Sequence, residues 1–124
     1  MTAKVVDASA LAAVLFSEPE FEKTLARLDG MTLFAPSLLP YEIANVCAKK
    51  TKLHPANAAL FLGALTRFAS MTIDLRDVDA RDIFQIVQKS GLSAYDASYL
   101  WLARELGVEL VTLDGDLDKA FASQ

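Results

Sequence analysis

Lys4-Val5-Val6-Asp7-Ala8-Ser9-Ala10-Leu11 is the stretch that decides the fold. Its first half is β-branched and extended, whereas Ala8 to Phe16 is rich in Ala and Leu, the residues that favour helix. Asp7 therefore sits where a strand hands over to a helix. Working outward, Met31 to Ala35, Met71 to Leu75 and Val108 to Thr112 read as further short strands, each separated from the next by helical periodicity. Strands joined through helices require crossover connections, so the prediction is an α/β fold: three layers, α/β/α, around a mainly parallel sheet.

The helices have local start and stop signals. Glu18-Pro19-Glu20 reads as a helix start, with Phe21, Leu25 and Leu28 on one face until Asp29-Gly30. Pro36-Ser37 opens a helix in which Leu39, Ile43, Val46 and Cys47 recur at helical spacing, with Glu42 in its early turns. His54-Pro55 ends it. Ala56 to Ala69 follows, with Leu60, Leu62, Leu65 and Phe68 predicting a largely buried helix. Asp77-Val78-Asp79 starts a helix that closes at Ser90-Gly91, and Ser93 caps one from Ala94 to Leu106. Leu117 to Ala122 forms a short last helix. There is no linker or low-complexity segment, so residues 1–124 are expected to form one domain.

Composition narrows the function classes. Hydrophobic residues make up 53% of the 124, which supports a packed core and argues against intrinsic disorder. Apolar runs fall far short of the roughly 18 residues a membrane span needs. Asp7 interrupts what would otherwise be a signal-peptide core, so a cytoplasmic protein is expected. The single cysteine, Cys47, excludes an intramolecular disulfide and lacks partners for a thiolate zinc site. A net charge of -4 argues against nucleic-acid binding, yet 12 acids balance 12 bases once four carboxylates are set aside.

Those four are Asp7, Glu42, Asp96 and Asp114. Open α/β sheets bind ligands beyond the carboxyl ends of their strands, where strand order reverses. Asp7 and Asp114 end the first and last strands, and Glu42 and Asp96 lie near helix N-termini that return to the same edge. Each acid alone has a plainer reading: Asp7 and Asp114 as caps, Glu42 as a favourable charge on a helix dipole, Asp96 as half of a Ser93 capping box. Asp96, however, has Tyr99, Leu100 and Ala103 as its helical neighbours, an apolar setting for a charge. Gathered carboxylates repel one another unless a cation offsets them. Oxygen ligands without cysteine or a usable histidine suit Mg²⁺ or Mn²⁺. Such an ion can activate water and stabilise a phosphoryl group under attack, which is the chemistry of phosphodiester hydrolysis.

Four segments resemble one known family: Val5-Val6-Asp7-Ala8-Ser9-Ala10-Leu11, Pro40-Tyr41-Glu42-Ile43-Ala44-Asn45, Leu92-Ser93-Ala94-Tyr95-Asp96-Ala97-Ser98-Tyr99-Leu100 and Leu110-Val111-Thr112-Leu113-Asp114. In order and spacing they look like PIN-domain ribonucleases, specifically VapC-type toxins. The resemblance implies a Mg²⁺- or Mn²⁺-dependent endoribonuclease that cuts transfer or ribosomal RNA to arrest translation, works as a homodimer and is silenced by a VapB-type antitoxin. By position, Asp7, Glu42, Asp96 and Asp114 match the family's acidic quartet, with Asp7 and Asp96 as metal ligands. Ser9, Asn45 and Thr112 match polar residues that support the quartet. Asp116 offers a second acid beside Asp114 and is kept as an auxiliary.

Other residues weigh less. His54 precedes a proline at a helix break and reads as structural or exposed. Lys49, Lys50, Lys52, Arg76 and Arg81 are candidate RNA-facing charges, although a solvated helix end and an ordinary charged surface are the better reading and they are not counted as site residues. For Tyr41, Tyr95, Tyr99 and Trp101, stacking on bases competes with core or dimer packing, which helical spacing favours. Among rival classes, a phosphoacceptor signalling domain needs an Asp on a central strand, and none occurs between Gly30 and Ile73. A haloacid-dehalogenase-type phosphatase needs Asp-x-Asp, where Asp7 is followed by Ala8-Ser9. An RNA-processing nuclease of the same fold and a non-catalytic interaction module are the alternatives left.

Overall fold

In the computed structural model, which describes residues 2–123, four strands form one sheet: β1 (Ala3–Val6), β2 (Thr32–Pro36), β3 (Ile73–Arg76) and β4 (Glu109–Val111). Their spatial order is β3-β2-β1-β4, and every pairing is parallel. Six α-helices connect them, α1 (Ala8–Leu15), α2 (Phe21–Leu28), α3 (Leu39–Leu53), α4 (Ala58–Ser70), α5 (Ala80–Ser90) and α6 (Ala94–Leu106), and α7 (Gly115–Ala122) follows β4. A single 3₁₀ turn, Pro55–Asn57, links α3 to α4.

The order of strands fixes the layers. The chain runs outward from β1 through β2 to β3, then returns across the sheet to β4, so right-handed crossovers place α1–α4 on one face and α5 and α6 on the other, where α7 joins α6. Accordingly α1 packs on α2, α3 and α4, while α6 packs on α5, α7, β1 and β2. This is the expected three-layer α/β/α arrangement. Val5, Val6 and Val111 are fully buried at its centre, together with Leu11, Leu39, Ile43 and Leu100. Burial of each such side chain is worth about 1.5–3 kcal/mol. The direction of travel reverses between β1 and β4, which opens a crevice at their carboxyl ends.

Boundaries follow the local signals closely at α5 and α6. Asp79 caps α5 by accepting from Arg81 N at 2.9 Å, and Gly91 and Gly107 close α5 and α6 in left-handed conformations with φ 74° and 66°. Two expectations fail. Helix α2 begins only at Phe21, after a turn in which Ser17 has φ 51°, and it buries Thr24 and Leu28 while Leu25 faces outward. Helix α4 is not largely buried: Phe61 and Ala64 face inward, but Leu60 and Leu62 are 62% and 64% exposed. The reason is topological, since α4 packs on α3 and the end of α1 rather than on the sheet. Among the described residues, no helix is long and apolar enough to cross a membrane.

Candidate active site

Asp7 leaves the end of β1 and is 4% exposed, directly in the crevice. Three donors hold its carboxylate. Ser9 Oγ donates to Oδ1 at 2.7 Å, Ala10 N donates to Oδ1 at 3.0 Å, and Thr112 Oγ1 donates to Oδ2 at 2.5 Å. The Ala10 bond is a helix cap, so the plain reading of Asp7 holds. The other two are more than a cap requires. Thr112 follows β4 and reaches Asp7 across the point where strand order reverses.

The same hydroxyls also tie down the opposing loop. Ser9 Oγ accepts from Leu113 N at 2.9 Å, and Thr112 Oγ1 accepts from Asp114 N at 3.0 Å. Asp114 Oδ1 then caps α7 by accepting from Leu117 N at 3.0 Å. One hydrogen-bonded chain thus runs from the first helix turn of α1 to the first turn of α7. Ser9 and Thr112 stand where supporting residues were expected.

Glu42 and Asp96 arrive from the two opposite helical layers, each in the first turn of its helix, α3 and α6. Ser93 Oγ caps α6 by accepting from Asp96 N at 3.1 Å, which leaves the Asp96 carboxyl at the crevice side. Glu42 Oε1 accepts from the Tyr99 phenol at 2.5 Å. Tyr99 is fully buried on α6, so this bond joins the layers over the carboxyl edge of the sheet. Sequence reading placed Tyr99 among packing or stacking residues and missed this role. Its position three residues after Asp96, on the inward face of α6, was the available signal.

Electrostatics bind the acids into one unit. Burial raises the Asp7 carboxyl above its ordinary value, offset by its three donors, and the Asp114 charge raises it further. Glu42 is raised chiefly by burial, lowered by the Tyr99 bond, and raised again by Asp7 and Asp96. Asp96 is raised by burial and then by the charges of Asp114, Asp7 and Asp116. Tyr99 is pushed far above its normal range by burial and by Glu42, so its phenol stays a donor. Asp7, Glu42 and Asp96 are thus destabilised as carboxylates chiefly by burial and further by a neighbouring charge, and the uncompensated charge invites a cation.

The donor set fits a hard, well-hydrated ion rather than zinc. Among the described residues, no three His, Cys, Asp or Glu side chains form a ready-made metal cage. Mg²⁺ tolerates this, because it keeps several waters beside one or two carboxylates. Asp116 is exposed in the first turn of α7 and enters only through its charge on Asp96. Asn45 is exposed on α3, outside the Asp7 network, in a cavity of about 490 Å³ that it shares with Leu38, Tyr41, Glu42 and Tyr95.

The basic residues are largely committed elsewhere. Lys50 lies 3.7 Å from Glu18 and 4.8 Å from the Phe16 ring centroid, at the end of α3 remote from Glu42, so Lys49, Lys50 and Lys52 do not flank the acids. Arg76 and Arg81 do lie near the rim, but pair with Asp74 at 2.9 Å and Asp79 at 3.7 Å. Two aromatics also depart from the expectation of core packing. Tyr41 and Tyr95 are 75% and 65% exposed and pack into no core. Trp101 is half-buried and donates from Nε1 to Asp82 Oδ2 at 3.1 Å.

The PIN-domain family model matches residues 4–121. Ribonuclease VapC3 of Pyrobaculum aerophilum is 33% identical over 122 residues, covering 94% of this chain and 93% of the relative. Exonuclease VapC9 of the same organism is 29% identical over 113 residues, covering 91% and 81%. The crystal structure of PAE2754 from Pyrobaculum aerophilum superposes with a TM-score of 0.78 at 28% identity, covering 96% of this chain and 84% of that one. The chain belongs to the PIN-domain family and, within it, to the VapC-type proteins.

Proposed function

We propose that this chain is a metal-dependent endoribonuclease, the toxin of a VapB/VapC-type toxin-antitoxin pair, acting in the cytoplasm to stop translation, with residues 1–124 working as one PIN domain. The observation that carries the reading is the gathering of Asp7, Glu42 and Asp96 at the crevice between β1 and β4, where burial first and a neighbouring carboxylate second raise each of them. A cluster that costs folding energy in this way is expected at a working site rather than in a structural network. The VapC names of the relatives support the activity and the toxin role.

In this reading Asp7 and Asp96 hold Mg²⁺ or Mn²⁺, directly or through water, with Glu42 and Asp114 completing the acidic surround. Such an ion supplies charge stabilisation to a phosphoryl group and lowers the pKa of water. The chain's own residues do the rest. Ser9 and Thr112 fix the rotamer of Asp7, and Asp114 anchors the opposing wall through its cap on α7. Tyr99 keeps Glu42 charged and oriented. No histidine or lysine serves as base, and His54 stands at the end of α3, away from the acids.

Two partners follow. An acidic crevice suits a basic antitoxin segment whose Arg or Lys occupies the cation position. A second copy of this chain suits the exposed leucines of α4. Incubation of the purified protein with RNA tests the activity: internal cuts giving discrete fragments support an endonuclease, mononucleotide release indicates an exonuclease, and intact RNA refutes the proposal.

A further inference from the structure

Beside the acids lies a pocket with the chemistry of a base-binding site. Tyr41, on α3, and Tyr95, on α6, are both strongly exposed and line one cavity of about 490 Å³. Large aromatics normally bury their rings, so two of them held open on separate helices call for a partner. Leu38 is a further lining residue, and Glu42 and Asn45 supply a polar wall. Among the described residues no hydrogen bond occupies the Asn45 amide, which offers both donors and an acceptor. Glu42 belongs to this wall and is also coupled to Asp7 and Asp96. Glu42 is thus common to the pocket and the acidic cluster.

We infer that this pocket receives one unstacked base of a single-stranded RNA, next to the phosphate that is cut. The inference rests on the ribonuclease reading and deepens it. Sequence-tolerant RNA binding uses aromatic rings as stacking platforms, while amide side chains read base edges by paired hydrogen bonds. Tyr41 and Tyr95 supply the platform and Asn45 the reader. Asn45 thus acts on the substrate rather than on the acids, consistent with its place outside the Asp7 network. A neighbouring cavity of about 410 Å³, lined by Val78, Ile83, Phe84 and Val87, shares Leu38 and Tyr95 but offers an almost wholly apolar surface. That second cavity is unsuited to reading a base edge, and the polar wall singles out the first.

Fluorescence anisotropy tests this with labelled single-stranded A10, C10 and U10 and an abasic ten-residue ribose phosphate strand. Ca²⁺ replaces Mg²⁺ in the titration, gels verify that the strands stay intact, and light scattering is run on each variant. Tyr41→Ala and Tyr95→Ala should each weaken base-bearing strands by about 5- to 150-fold, the range found for loss of one stacked base. Tyr41→Phe and Tyr95→Phe should bind within about threefold of wild type, since the ring is retained. Asn45→Ala should change the ranking of A10, C10 and U10, and no variant should alter abasic-strand binding. Unchanged affinity in both Ala variants, equal weakening on the abasic strand, loss of self-association without loss of RNA binding, or no base-dependent binding by wild type would each overturn the pocket. Cleavage of total RNA by wild type is scored separately, so a failed pocket is distinguishable from a failed ribonuclease.

Discussion

The Tyr99 phenol donates to Glu42 Oε1 at 2.5 Å, so a fully buried side chain of α6 holds an acid of α3 from the far side of the sheet. The bond favours the charged form of Glu42, against burial and against the charges of Asp7 and Asp96. Tyr99→Phe keeps the ring and removes the donor. Glu42 then rises further, so activity requiring its carboxylate is lost at a higher pH than in wild type. Losing a bond to a charged group, worth about 1.5–3 kcal/mol, moves the acid limb upward, and the rate loss relative to wild type deepens as pH falls through it. An acid limb that does not move would show that Glu42 titrates independently of Tyr99.

Thr112 serves two partners at once, donating to Asp7 and accepting from Asp114 N. Thr112→Val preserves shape but leaves a buried carboxylate short of one donor and a backbone N–H short of its acceptor. Denaturant melts should show a loss of about 2–4 kcal/mol, and Thr112→Ser should restore most of it. Equal stability of the Val and Ser variants would contradict the role given to the hydroxyl.

Asp96 makes a stability prediction whose sign is fixed. Its folded pKa is raised above the unfolded value of 3.8, so the folded state binds the proton more tightly. That contribution to stability is present below pH 3.8 and is lost as pH rises through the folded value. Asp96→Asn removes the charge, so the variant should melt above wild type at pH 7 and level with it near pH 4. Mg²⁺ or Mn²⁺ should raise the wild-type Tm, by binding linkage worth about 2.7 kcal/mol at a hundredfold excess over Kd, and should do little for the variant. A variant less stable at pH 7, or equally protected by metal, would contradict the assignment.

Leu60 and Leu62 are exposed on opposite flanks of the buried Phe61 of α4, and each offers an apolar contact for a second copy. Wild type should sediment as a dimer whose Tm rises with protein concentration, and Leu60→Glu or Leu62→Glu, on whichever flank forms the interface, should sediment as a monomer whose Tm no longer depends on concentration. A persistent dimer would move the interface to another face.

Most of the fold and the acidic site was legible because local chemistry and topology agree there. Asp7 and Asp114 follow strands, Ser93 and Asp79 are caps, and Gly91 and Gly107 are stops; each is encoded within a few residues. Parallel strands joined by helices then bring all the acids to one edge. What eluded the sequence depends on contacts between distant segments. The apolar count of α4 could not reveal that it rests on α3 instead of the sheet, nor could the spacing of Leu25 show that Thr24 would be the buried neighbour. Tyr41, Tyr95 and Tyr99 look alike in sequence; only the packing of α3 against α6 separates two exposed rings from one buried donor. The plain reading holds for Asp7 and Asp114, which both cap helices, and their place at the crevice leaves the functional reading open to them as well.

The most direct test of the account is cleavage of total RNA by wild type and Asp96→Asn, each with Mg²⁺ or Mn²⁺ and again after EDTA. Discrete fragments from metal-loaded wild type, absent with EDTA and reduced by at least about a hundredfold in a folded Asp96→Asn protein, are predicted from the loss of a charge that holds the ion. Undiminished cleavage by Asp96→Asn, or by wild type in EDTA, would contradict a carboxylate-metal ribonuclease.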